Sequence, residues 1–85
     1  MKEFNYTITD SQGIHARPAG TLVKETAKFE SKITIEKDGK VVDAKRIIGI
    51  MGLGAKMGNE ILVRMEGNDE EAAYETLQQF FRDNL

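Results

Sequence analysis

One short stretch gathers the residues best suited to chemistry: Gly13-Ile14-His15-Ala16-Arg17-Pro18-Ala19 holds the only histidine and the only proline of the chain, with an arginine between them. A glycine that permits a turn precedes the histidine, and the proline stands where a helix can begin. That order describes a loop delivering His15 to a helix N-terminus. The first amides of a helix lack partners inside it and carry a partial positive charge, so an anion is favoured just in front of them. Arg17 adds a planar, permanently charged fork of N–H donors that suits phosphate oxygens. A histidine at a helix start is more often a cap or a packing residue than a reactive group, so the local pattern leaves two readings open. The reactive one is a phosphate carried on an imidazole.

An imidazole has an ordinary pKa of about 6.5, so near neutral pH one ring nitrogen can act as a nucleophile without a separate base. Phosphoryl transfer needs little covalent help from a protein. It needs in-line placement and donors for the equatorial oxygens, and here the candidates are the backbone N–H groups of Ala16 and Arg17 with the Arg17 guanidinium. The sequence has no second histidine, no cysteine, no Walker-type GxxxxGK[ST] loop and no triad. The expectation is therefore a chain with no metal and no cofactor that does not turn over ATP by itself.

The elements that must position these residues follow from periodicity. Phe4, Tyr6 and Ile8 alternate with polar residues, as in a half-buried strand. Asp10-Ser11-Gln12-Gly13 supplies turn chemistry before the histidine. From Ala16 the period becomes helical, with Ala19, Leu22, Val23, Thr26 and Ala27 on one face and Lys24, Glu25 and Lys28 turned outward. Pro18 fits in the first turn, where its missing N–H has no acceptor to lose. After a break at Ser31-Lys32, Ile33 and Ile35 resume a strand, Asp38-Gly39 makes a hairpin, and Lys40 to Asp43 returns. Ala44 to Gly54 reads as one short helix stopped by Gly52 or Gly54, with Ile50 and Leu53 in the core. Ile61, Val63 and Met65 form a fourth strand. Asn68 or Asp69 then caps a last helix whose first turn carries Glu70 and Glu71 and whose buried stripe is Ala73, Leu77, Phe80 and Phe81.

The order is β-α-β-β-α-β-α, an α+β domain spanning residues 1–85 in which helices cover one face of a four-stranded sheet. A short apolar helix cannot bury every side, so some of Ile47, Ile48 and Met51 are expected at the surface. Eighty-five residues allow one small domain whose core must suffice without disulfides. Charged residues make up 31% of the chain, and no apolar run approaches the roughly 20 residues of a spanning helix. The N-terminus MKEFNYT lacks the apolar region of a signal peptide, so a cytoplasmic protein without direct membrane insertion is expected. The net charge of −2 carries no nucleic-acid footprint. Arg17, Lys24, Lys28, Lys45 and Arg46 nevertheless lie in the two segments placed around His15, which predicts a locally basic face for acidic partners.

The segment GIHARPA resembles the active-site signature of the HPr family, the histidine-containing phosphocarriers of the bacterial phosphoenolpyruvate–sugar phosphotransferase system. A second matching block is Lys45 to Gly54, KRIIGIMGLG, followed by Lys56-Met57-Gly58-Asn59-Glu60-Ile61. The resemblance implies an open-faced β-sandwich with strand order 1-4-2-3. It implies that His15 accepts a phosphoryl group at Nδ1 from phosphorylated enzyme I and passes it to sugar-specific enzyme II A components, with Arg17 steadying the phosphate. The chain would then be a stoichiometric relay and a substrate of enzyme I rather than an enzyme. Ile47, Ile48 and Met51 correspond to positions that contact partners, and Gly20, Thr21 and Lys24 would border the same face. A monomer suits a carrier that meets two partners in turn through one surface. An HPr-like regulator, binding its target according to its phosphorylation state, is the alternative. One position departs from the family: where low-GC Gram-positive HPr proteins open the second helix with a serine that an ATP-dependent HPr kinase phosphorylates, this chain has Arg46. That regulatory switch is expected to be absent, and the serine's capping hydroxyl is lost with it.

Overall fold

The computed structural model describes residues 1–85. Its elements run β1 (Lys2–Thr7), α1 (Ala16–Thr26), β2 (Lys32–Lys37), β3 (Lys40–Asp43), α2 (Ile47–Gly52), β4 (Glu60–Glu66) and α3 (Glu70–Asn84). Both the order read from periodicity and the strand order β1-β4-β2-β3 implied by the family resemblance are present, with antiparallel pairing throughout. Phe4 and Ile35 both lie opposite Val63, Tyr6 opposite Ile61, and Ile33 opposite Met65. These register pairs put Phe4, Tyr6, Ile33, Ile35, Ile61, Val63 and Met65 on one face, while Leu62 and Val41 fall on the other. The other face carries Glu3, Arg64 and Glu36, joined by ion pairs of 3.3 and 3.5 Å.

Helices α1 and α3 close the buried face. Ala73, Leu77, Phe80 and Phe81 are all buried, as their helical spacing requires. Phe81 is the keystone, meeting Phe4, Tyr6 and Phe80 edge-on at centroid distances of 5.8, 5.5 and 5.9 Å. Burying such a side chain stabilises the fold by roughly 1.5–3 kcal/mol, and edge-to-face pairs add about 0.5–1.5 kcal/mol each. On α1 the buried residues are Pro18, Ala19, Leu22 and Thr26. The Thr26 hydroxyl donates to the Ala44 carbonyl at 2.9 Å, so the one polar residue of that stripe is satisfied. Ala27, expected on the same face, is exposed, because the helix ends there and the chain turns away.

Asp69 stands at the N-cap of α3, yet its carboxylate does not cap it. It reaches instead to the α1–β2 loop, accepting from the Glu30 amide at 2.8 Å, the Ser31 amide at 3.0 Å and the Ser31 hydroxyl. Glu70 braces the turn ahead of the helix by accepting from the Gly67 amide at 3.0 Å. Gly67 must be small there, since a Cβ would lie 2.7 Å from Ser31 Cα. The cross-chain bond thus wins over the local cap because it satisfies three donors.

The loop from β1 to α1 is tied at both sides. Ile8 exchanges backbone hydrogen bonds with Asn59 and Gly58 at 2.9 and 2.8 Å, and the amides of Thr9 and Asp10 both donate to the Leu85 carbonyl. Asp10 and Gly13 close a turn at 3.0 Å, and Ile14 donates to the Ala55 carbonyl at 3.0 Å. Gly13 has φ +68°, and a Cβ on it would fall 2.3 Å from that same carbonyl oxygen and 2.7 Å from Lys56 Cα. Only glycine fits both the dihedral and the space.

Two expected outcomes follow from these ties. Gly13→Ala must pry the loop off the Ala55–Lys56 backbone, and should cost about 2 kcal/mol or more in urea unfolding; an unchanged midpoint would contradict the close approach. Asp69 is held below the ordinary carboxyl value of 3.8, first by the Ser31 hydroxyl and then by the Glu30 amide. A carboxyl with a lower pKa in the folded state stabilises above its unfolded pKa and loses that contribution as pH falls through the folded one. Asp69→Asn should therefore lower the thermal midpoint at neutral pH, and its difference from the parent should shrink from about pH 4 downward. A difference independent of pH would remove charge from the explanation.

Candidate functional site

His15 is the N-cap residue of α1, in extended backbone with φ −100° and ψ −175°. Its carbonyl accepts from the Ala19 amide at 3.0 Å, which closes the first turn, and its own amide donates to the Gly13 carbonyl at 3.2 Å. The side chain takes no part in capping. Half-buried and without a hydrogen bond or ion pair, the imidazole is not spent on structure. Thus the capping reading, open from sequence, does not describe this ring, while its half-burial is compatible with packing.

Around it the donors are equally free. The amides of Ala16 and Arg17 are first-turn groups with no partner inside the helix and none outside it. Pro18 has no N–H to offer, so these two amides and the Arg17 side chain make up the local donor set. Arg17 is exposed, and no carboxylate pairs with it. A shallow depression of about 240 Å³ is lined by His15, Arg17, Pro18, Thr21, Asp10 and Asn84. Asp10 and Asn84 are the two members that sequence reasoning missed. Asp10 stood in the turn signal ahead of His15, but Asn84 arrives from the last turn of α3 and had no local signal. A wider groove of about 450 Å³ between α1 and α3 is lined by Glu25, Glu75 and Asp83, an acidic wall ill-suited to phosphate.

The second segment comes alongside as expected. Ile50 and Leu53 are buried, whereas Ile47, Ile48 and Met51 are 40%, 83% and 44% exposed. Gly20 is the contact point between the helices, since a Cβ there would sit 3.9 Å from Ile47 Cδ1. Thr21 and Lys24 are exposed on the same helix, with the Thr21 hydroxyl donating to the Arg17 carbonyl at 3.2 Å.

The basic face expected from composition is smaller than the sequence suggested. Lys28 pairs with Glu25 at 2.8 Å, Lys45 donates to the Phe29 carbonyl at 2.6 Å, and Arg46 reaches Asp43 at 3.7 Å. Arg17 and Lys24 remain without acidic partners. Arg46 is the N-cap of α2 with no side-chain bond, and Asp43 braces the turn before it by accepting from the Lys45 amide at 2.9 Å through its carboxylate and from the Arg46 amide at 3.2 Å through its carbonyl. At the other end Lys40 and Lys37 donate to the Gly52 and Leu53 carbonyls at 2.9 and 3.4 Å, where cations suit the dipole.

Such an arrangement can hold a dianionic group on an imidazole nitrogen, with two amides and a guanidinium on its oxygens. Known proteins share the chain's sequence and fold. A family model described as the PTS HPr component phosphorylation site matches residues 2–83. The phosphocarrier protein HPr of Mycoplasma capricolum is 42% identical over 79 residues, 93% of this chain and 89% of that one. The crystal structure of HPr-C-His from Thermoanaerobacter tengcongensis superposes with a TM-score of 0.93 at 44% identity, covering 98% of this chain and 93% of that one. Crh of Bacillus subtilis, a catabolite-repression protein seen as a domain-swapped dimer, gives 0.79 at 36% identity over 94% and 92% of the two chains. A family match, sequence identity and a fold shared over nearly the whole length lead to one conclusion: the chain belongs to the HPr family of phosphocarriers of the phosphotransferase system.

Proposed function

We propose that this chain is a phosphoryl relay in which His15 accepts a phosphoryl group at Nδ1 from phosphorylated enzyme I and donates it to sugar-specific enzyme II A components. The unengaged imidazole in front of two free amides supports this reading more than any other observation. In the forward step the Nδ1 lone pair attacks phosphorus as the bond to the enzyme I donor breaks. The equatorial oxygens are met by the Ala16 and Arg17 amides and the Arg17 guanidinium. The onward step reverses the roles, so the chain is a substrate in each exchange and a cytoplasmic monomer between them. Both partners dock on one surface formed by Gly20, Thr21 and Lys24 of α1 and by Ile47, Ile48 and Met51 of α2, where exposed apolar side chains lie beside a free cation.

Radioactive phosphoenolpyruvate with enzyme I should label the protein stoichiometrically, with an acid-labile, base-stable bond absent from His15→Ala. Arg17→Ala should accept the label on the order of a hundredfold more slowly. A label that persists in His15→Ala would sink the proposal. Likeness to Crh favours a regulatory reading as the second one, and onward transfer separates the two: a relay restores sugar phosphorylation with an enzyme II, whereas a regulator takes the label and passes none. HPr kinase with ATP should produce no phosphoserine, because Arg46 occupies the family's serine position and Ser31 is buried against Asp69. Stoichiometric phosphoserine at Ser31 would show that reasoning to be wrong.

A further inference from the structure

The depression in front of His15 contains one acid as well as one permanent cation. Asp10 lines it together with His15 and Arg17; the remaining lining residues, Pro18, Thr21 and Asn84, are neutral. Asp10 is held in place by its backbone, through the Leu85 carbonyl on one side and the Gly13 amide on the other. One carboxylate oxygen, Oδ1, accepts from the Gln12 amide at 2.8 Å, while Oδ2 has no hydrogen-bond partner and no cation pairs with either oxygen. An acid that neutralises nothing sits on the wall of a cavity suited to a phosphate. For the fold alone a neutral residue would do as well, since asparagine or serine closes the same turn.

Resting on the relay reading above, we propose that Asp10 sets the phosphoryl-transfer potential of His15. Its fixed negative charge opposes the phosphoryl group on the imidazole and offsets part of the attraction exerted by Arg17 and the two amides. The phosphorylated form is thereby raised in free energy relative to the free form, which favours breaking the N–P bond in favour of the next acceptor. One N–P bond breaks as the bond to the acceptor forms, and Asp10 takes no covalent part. Arg17 holds the group and Asp10 keeps the hold from becoming a trap.

Asp10→Asn is a close test, because an amide oxygen can still accept from Gln12 while the charge is gone. At fixed enzyme I, phosphoenolpyruvate and pyruvate, the ratio of phosphorylated to free protein should rise about twofold to fivefold, the range expected for charges screened by solvent. Asp10→Ser should show the same rise, and Asp10→Glu should return the ratio towards that of the parent. The gap between parent and neutral variants should narrow as salt is raised. A merely structural role predicts instead that Asp10→Glu, with its longer side chain in the turn, is the more disturbed variant. Equal ratios in parent, Asp10→Asn and Asp10→Ser would overturn the inference and leave the relay intact. A parent that takes no label from enzyme I would overturn the relay itself.

Discussion

A helix can aim its free amides at a fixed point in space only if the chain entering it is itself fixed, and here that entry is secured by backbone touching backbone. Gly13 lies so close to Ala55 and Lys56 that no side chain could stand between them. The next residue, Ile14, hydrogen bonds the same Ala55 carbonyl and is buried. His15 follows with no freedom left in its main chain, so its ring is placed by the loop rather than by bonds of its own. A ring placed in this way is available to react, whereas a ring held by hydrogen bonds would have to break them first. The ties from Thr9 and Asp10 to Leu85 extend the same logic across the molecule, joining the site loop to the end of α3.

Packing explains why so much of this was legible in the chain. Strands β1 and β2 alternate, and β4 does so apart from Leu62, because only one face of the sheet is covered, and α3 repeats at helical spacing because it covers that face. His15, Ala16 and Arg17 could be read from their residue types and order, since a turn glycine, a proline in the first helical turn and an arginine each leave a local mark. That some of Ile47, Ile48 and Met51 reach the surface was readable because a short helix offers only one buried side, which Ile50 occupies, whereas singling out Ile48 and Met51 rested on the family resemblance. Ile47 is less clear-cut, being exposed yet leaning on Gly20 of the neighbouring helix.

What remained hidden depends on contacts between residues far apart in the chain. Asn84 joins the depression at His15 only because α3 returns across the sheet, and no pattern near residue 84 announces it. Asp69 looked like a cap from its position, but cap preference is a local tendency of about 1 kcal/mol and three donors on a distant loop outweigh it. The basic face was overestimated for a related reason. Counting lysines by segment ignores where their ammonium groups go, and Lys45 spends its own on a carbonyl of the α1–β2 loop.

That last discrepancy bears on what a carrier must do. Surrounding a phosphoryl group with every cation nearby would bind it well and release it poorly, because attraction that is equal before and after docking deepens the well without lowering the barrier. In this fold Lys28 and Arg46 are engaged by carboxylates and Lys45 by a carbonyl, which leaves Arg17 as the single cation lining the depression. The two amides add donors whose direction is set by the helix and whose strength does not depend on a mobile side chain. One cation and two fixed amides therefore offer an anion moderate rather than enclosing attraction.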